Sequence, residues 1–180
     1  RELVGHRLGT ERFDAMYGKR HFRQAVEGVV ARDDAFWCGE GGCAAASGRA
    51  LSVALNALQT RHGRHVAQWR WGEAHPAVSK HQPFSNVKPL AGMFEVRVPT
   101  GGDAFTVNVG QFHMDKPHEP YANRHAASLR AVYDLADLER SAFIYQTGQS
   151  GNVFSGHYGN MAREWAAVKY RPLQLNPKRW

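Results

Sequence analysis

The hydrophobic period of this chain changes once along its length, and that change decides its class. Up to residue 62 the apolar residues recur at helical spacing, and from Phe94 onward they alternate. Phe22, Val26, Val29 and Val30, with Arg23, Gln24 and Glu27 between them, predict a helix over residues 10–31. Residues 33–42 read as a turn-rich loop carrying Trp37. A second helix is predicted over 44–62, with Leu51, Ala54, Leu55 and Leu58 as its apolar stripe and Gly63 at its end. Residues 66–92 hold aromatic, His and Pro residues without a steady period and are expected to be irregular. Phe94, Val96 and Val98 then alternate with polar residues, and after Gly101-Gly102 so do Phe105, Val107 and Val109, which predicts a hairpin. Two more strands are expected over 127–135 and 142–147. A last helix is expected from Ser155, as its cap, to about Tyr170, with Tyr158, Met161, Ala162 and Trp165 on one face and Pro172 after it. The class is α+β, an antiparallel sheet with helices packed on it.

A length of 180 residues fits one domain, and 43% hydrophobic content suffices for a core. Three parts are expected inside it: a mainly helical 1–65, an irregular segment followed by strands over 66–150, and a terminal helix and tail over 151–180. The mean hydropathy of −0.51, with no apolar stretch near the ~20 residues of a spanning helix, argues against membrane insertion. Lys and Arg total 23 against 16 acidic residues, for a net charge of +7. Nucleic-acid binding needs such charge gathered on one face. Here only Lys19-Arg20 and Lys178-Arg179 are adjacent pairs, so a solvated basic surface is the better reading and no nucleic-acid partner is expected. The chain opens at Arg1 without the basic start and apolar stretch of a signal peptide, which suggests a piece of something longer.

Chemistry-bearing patterns are sparse. Cys38 and Cys43 flank Gly39-Glu40-Gly41-Gly42, whose glycines let the backbone turn sharply enough to join the two sulfurs. A local disulfide is expected in an oxidising compartment, the alternative being two reduced thiols at a helix start. The tightest group of metal-ligand types is His113, Asp115 and His118, followed by His75 with His81. Neither has the i, i+4 helical pair or the Cys partner of a zinc site, so no metal is expected. Gly148-Gln149-Ser150-Gly151 lacks the Gly-x-Ser-x-Gly spacing of a hydrolase elbow, although a Ser150–His157–Asp134 triad can be drawn on paper.

A family resemblance begins at Trp69-Arg-Trp71-Gly72-Glu-Ala-His75. It continues through Gly101-Gly102-Asp103 leading into Thr106-Val107-Asn108, and through Ser128-Leu-Arg130-Ala-Val-Tyr-Asp134-Leu. Gly148-Gln149-Ser150-Gly151-Asn152 follows, then Ser155-Gly-His157-Tyr158 and Trp165 before Tyr170-Arg-Pro172-Leu. Together these motifs resemble the carboxyl-terminal region of the penicillin acylase family. The Trp-Cys loop and Cys-started helix of the first third are similar to those of many periplasmic members.

That resemblance implies an amidohydrolase of the N-terminal-nucleophile class, whose precursor cuts itself into α and β subunits. The β subunit then begins with a Ser whose own α-amine is the base. It implies that these 180 residues are the carboxyl-terminal part of an αββα sandwich, inactive alone, whose partners are the rest of the β subunit and the α subunit. The substrate would be an N-acylated small molecule such as a penicillin, a cephalosporin or an acyl-homoserine lactone, cleaved in the periplasm or outside the cell. No catalytic residue transfers onto this chain, and the calcium that the family often binds would be held by residues elsewhere. What transfers is a bracing role, in which Arg130, Asp134, Gln149 and His157 are expected to form a buried polar cluster. Strand edges that a larger sandwich would pair are expected to stand open. The competing reading is a self-standing basic module that binds or assembles without catalysis.

Overall fold

The computed structural model describes residues 3–114, 116 and 118–174. The chain divides into two compact units, Arg1–Arg70 and Trp71–Trp180.

The first unit is helical throughout: α1 (Gly5–Leu8), α2 (Thr10–Met16), α3 (Arg20–Ala31), α4 (Ala35–Cys38) and α5 (Gly42–His62). The single helix expected over 10–31 is thus two helices, interrupted at Tyr17-Gly18-Lys19, where glycine is a poor helix former. Two carboxylates organise the turn that follows α3. Asp34 caps α4 by accepting from the Phe36 N–H at 3.1 Å, and Asp33 accepts from the Cys43 N–H at 2.5 Å. The α4–α5 junction is closed by a Cys38–Cys43 disulfide. A loop this short gives about 2 kcal/mol of stabilisation by restricting the unfolded chain. Val29, Cys38, Cys43 and Ala46 form the core here, with Trp37 packed against it. The apolar stripe expected along α5 is corrected by this arrangement. Burial is concentrated in the first turns of the helix, while Leu51, Ala54 and Leu55 are exposed and Leu58 is half-buried.

The second unit carries α6 (Trp71–Ala74), α7 (Lys88–Phe94), α8 (Ala162–Ala166) and seven short strands. β1 (Pro76–Ser79) pairs with β2 (Val96–Pro99), and β3 (Gly110–Gln111) pairs with β4 (His125–Ala126). A third sheet orders β5 (Leu129–Val132), β6 (Ala142–Tyr145) and β7 (Arg171–Pro172), and every strand pair is antiparallel. Ala77, Val98, Ile144, Met161, Ala162 and Trp165 make the core, joining β1, β2, β6 and α8.

Three expectations change. Residues 66–92, read as irregular, contain α6, β1 and most of α7. The hairpin across Gly101-Gly102 does not form: β2 pairs upstream, with Ala77 opposite Val98, and Phe94 ends α7. Polar side chains between 101 and 109 take the backbone groups that a ladder would need. The Asp103 carboxylate accepts from the Phe105 N–H at 2.7 Å, while the Thr106 hydroxyl accepts from the Asp103 N–H at 2.9 Å and donates to the Asn108 carbonyl at 2.9 Å. Gly102 sits at φ 86°, and a Cβ there would lie 1.9 Å from the Asn108 carbonyl oxygen, so only glycine fits this turn. Val107, expected in the second strand of that hairpin, is fully exposed. The terminal helix is also shorter than expected. Ser155 accepts from the His157 N–H at 3.2 Å in a local turn instead of capping a helix, and α8 spans five residues. Met161 and Trp165 nevertheless reach the core, and Pro172 pairs with Ala142 in the edge strand β7, where its missing N–H is tolerated.

Candidate functional site

Two polar assemblies stand out in the second unit. The first centres on Arg130, in the middle of β5 opposite Ile144. Its side chain donates from Nη1 to the Trp165 carbonyl at 2.7 Å and from Nη2 to Asn108 Oδ1 at 2.5 Å. The guanidinium carbon lies 4.5 Å from the centroid of the Trp165 ring. Burial pushes the Arg130 pKa down, with the Tyr170 side chain opposing it, yet an arginine keeps its charge in proteins. One cation therefore ties a strand, the 101–109 loop and the last helix together by charge-assisted bonds and a cation–π contact.

The second assembly centres on His75, which is fully buried. Its ring stacks on Trp71 with centroids 4.6 Å apart and meets Phe112 edge-on at 6.0 Å. Nδ1 lies 2.5 Å from the Tyr121 carbonyl, which assigns the proton to Nδ1. The Thr100 hydroxyl donates to the His75 carbonyl at 2.7 Å and accepts from Asn123 Nδ2 at 3.4 Å. Removal from water lowers the His75 pKa from its ordinary 6.5, against opposing pulls from the Tyr121 carbonyl and the Asp103 charge. The folded state thus prefers the neutral ring, whereas the unfolded chain takes up a proton near 6.5. Stability from this site is present above that pH and is lost as pH falls below it, at up to about 1.4 kcal/mol per pH unit for one extra proton. Urea unfolding between pH 7.5 and 5 is expected to show this decline, with a shallower decline in His75→Phe. Equal slopes in the two proteins would remove His75 from the account.

The four residues expected to brace a common cluster are not brought together. Arg130 is half-buried and bonds to Asn108 and Trp165, neither of them in the expected group. Asp134 lies past the end of β5, two residues beyond Val132. Its Oδ1 accepts from the Ala136 N–H at 3.0 Å and the Asp137 N–H at 3.2 Å, and Oδ2 pairs with the exposed Arg140 at 3.6 Å. Gln149 is exposed. His157 is exposed too, its Nδ1 accepting from Asn160 Nδ2 at 3.2 Å. These placements also leave the paper triad unassembled. The Ser150 hydroxyl accepts from the Asn152 N–H at 3.1 Å, the His157 ring is turned to Asn160, and Asp134 holds its own turn.

His113 and His118 are exposed, and Asp115 lies outside the described residues, as do Lys178 and Arg179. His81 stacks on Phe84 at 5.4 Å and contacts Phe94 at 5.3 Å, in an aromatic nest separate from that of His75. Tyr158 closes the nest by donating its hydroxyl to the Phe94 carbonyl at 2.6 Å, and burial pushes its pKa up. Among the described residues no three His, Cys, Asp or Glu side chains converge in a way that would hold a metal ion. Sequence reasoning missed Asn108 as the partner of Arg130. The available signal was its place in Thr106-Val107-Asn108-Val109, where an amide stands at a polar position inside an apolar alternation.

Among proteins of known function, an acyl-homoserine lactone acylase QuiP of Pseudomonas syringae pv. syringae is 29% identical over 138 residues, 73% of this chain and 16% of the relative. QuiP of Pseudomonas aeruginosa is 24% identical over 142 residues, 72% of this chain and 16% of its own length. QuiP of Pseudomonas fluorescens strain Pf0-1 is 28% identical over 131 residues, covering 72% and 15%. The chain thus spans about a sixth of the length of these relatives. The sequence profile of the penicillin amidase family matches residues 1–180. On that match along its whole length, the chain belongs to the penicillin amidase family.

Proposed function

We propose that residues 1–180 are a scaffold section of an acylase that hydrolyses the amide bond of N-acyl-homoserine lactones, with the reacting hydroxyl in another part of the polypeptide. The observation that carries this reading is the family match along the whole chain, joined to relatives that bear the acyl-homoserine lactone acylase name. The side chains support it by being committed to structure. A serine hydroxyl attacks an amide only with a base at hydrogen-bond reach, and Ser150, His157 and Asp134 are each bonded within separate turns. Arg130 and His75 instead hold loops and strands together, as a wall behind a site would require.

In this reading a terminal Ser, freed by self-cleavage of a precursor, takes the acyl group and expels homoserine lactone as the amine. Water then releases the fatty acid and restores the hydroxyl. The Arg130–Asn108–Trp165 knot keeps the 101–109 loop and α8 fixed while that chemistry proceeds elsewhere. Calcium, where present, is held outside these residues. The Cys38–Cys43 disulfide favours an oxidising compartment such as the periplasm.

The test assays the full-length processed protein against N-acyl-homoserine lactones of several chain lengths, penicillin G and phenylacetyl amides, with mass-spectrometric detection of the released amine. Release of homoserine lactone, and no turnover by residues 1–180 alone, is the expected result. Silence on every acyl amide would sink the acylase reading. Turnover by the isolated 180 residues would move the nucleophile into this chain.

A further inference from the structure

Among the described residues β2 has one paired edge and one edge without a partner strand, and the pairing of β1 shows which is which. On the far side of β1, Pro76 accepts from the Asn123 N–H at 2.9 Å and the Val78 N–H donates to the Asn123 carbonyl at 3.3 Å. Hydrogen-bonding direction alternates along a strand, so Ala77 and Ser79 face β2, opposite Val98 and Val96. Val96 and Val98 therefore bond inward, and the main chain of Arg97 points away from the sheet. The Glu95 N–H is already given to the Ala91 carbonyl at 2.8 Å, and Pro99 has none. Among the described residues no partner takes the remaining groups of this edge, one N–H from Arg97 and three carbonyls from Glu95, Arg97 and Pro99.

A groove of about 620 Å³ runs along this edge. Val96, Arg97, Val98 and Pro99 all line it, and residues from both faces of a strand meet at its edge. The opposite wall is Gly159 with Ala162, Ala166 and Ala167, small residues that leave width for a further backbone, and the longer Arg163. The charges at the two walls differ. Arg97 is neutralised by Glu95 at 3.2 Å and by Glu119. Neighbouring Glu164 is taken by Arg171 at 2.6 Å. Arg163 is exposed and has no acidic partner among the described residues.

We infer that this groove receives an extended segment from elsewhere in the longer polypeptide, which pairs with the main chain of Arg97 and sets a carboxylate on Arg163. The inference rests on the reading of these residues as a section of a larger acylase. For antiparallel pairing the edge fixes what the segment must carry. The residue opposite Arg97 exchanges two bonds with it, and the residues two places before and after donate N–H groups to the Glu95 and Pro99 carbonyls. Proline is therefore excluded at those three positions. Side chains directly opposite share a face, so an acid reaching α8, on the Val96 and Val98 side, must come from a residue adjacent to the one opposite Arg97.

Amide hydrogen exchange on the full-length protein and on residues 1–180 tests this without any measurement of activity. The Arg97 amide is expected to exchange freely in the 180-residue chain and at least about 100-fold more slowly in the full-length protein. In the full-length protein Arg163→Glu should return much of that exchange, while Arg163→Gln returns less. Equal exchange at Arg97 in both proteins overturns the inference, as does protection indifferent to Arg163→Glu. Protection already present in the 180-residue chain, accompanied by a dimer in sizing, also overturns it, because the occupant is then a second copy. An acylase-active protein with an open Arg97 edge would refute this inference alone, and an inactive one with a protected edge would refute only the acylase reading.

Discussion

Trp165→Ala is expected to lower the unfolding free energy of residues 71–180 by about 3–5 kcal/mol, the range for removing a buried large aromatic. Trp165 is 1% exposed and packs in one cluster with Ala77, Val98, Ile144, Met161 and Ala162, so it joins residues from β1, β2, β6 and α8. Its indole N–H donates to the Ala127 carbonyl at 2.9 Å, and its ring carries the Arg130 guanidinium at 4.5 Å. Truncation opens a cavity, leaves a carbonyl unpaired and takes the aromatic face from a half-buried cation. A loss of that size approaches the whole stability of a small domain, which is typically about 5–15 kcal/mol. Trp165→Phe, which keeps most of the volume and loses the donor, should cost about 1–3 kcal/mol. Leu135→Ala, at an 88% exposed position, should change stability by less than about 0.5 kcal/mol. Urea unfolding followed by circular dichroism ranks the three. A Trp165→Ala loss no larger than that of Leu135→Ala would show that the core does not depend on the indole.

What the sequence disclosed follows from where its periodicity was strong and local. α3 and α5 were legible because Phe22, Val26 and Val29, and the run from Ala44 to His62, repeat at helical spacing and stop at recognisable punctuation. β5 and β6 were legible because alternation was bounded by the polar Asp137–Arg140 turn. The 94–109 hairpin misled because two alternating runs around Gly-Gly satisfy the local rule, while the better partner for Val96 and Val98 lay upstream at Ala77 and Ser79. Asp103, Thr106 and Asn108 compete for the same backbone groups, and their side-chain geometry is not visible as a period. The site was legible only in part. Arg130 could be singled out from its motif, but its partners Asn108 and Trp165 are 22 and 35 residues away. Asp134, Gln149 and His157 share the family's sequence blocks without sharing a place in space, because each serves its own turn.

The two glycines of Gly148-Gln149-Ser150-Gly151 look alike in the sequence and should respond oppositely to the same substitution. A Cβ on Gly148 would lie 2.0 Å from the His157 carbonyl oxygen and 2.8 Å from that of Tyr158, both main-chain atoms. Those atoms cannot swing aside as a side chain would. The Ser150 N–H donates to the His157 carbonyl at 3.2 Å, and the Met161 N–H donates to the Thr147 carbonyl at 2.9 Å. Two backbone segments are thus laced together around Gly148, and Met161 leads directly into α8 and its core tryptophan. Gly148→Ala must push 157–161 outward, which loosens these bonds and displaces the start of α8. The expected loss is about 3 kcal/mol, at the upper end of overpacking costs, or a fall in melting temperature of about 10 °C or more. At Gly151 an added Cβ meets nothing within 4 Å. Gly151→Ala should therefore leave stability within about 0.5 kcal/mol of the parent, or raise it slightly by restricting the unfolded chain. The contrast isolates close approach from glycine flexibility, since flexibility alone would make the two substitutions similar. Matched melting temperatures for the two variants would mean that the 148–161 lacing does not hold the end of the chain in place.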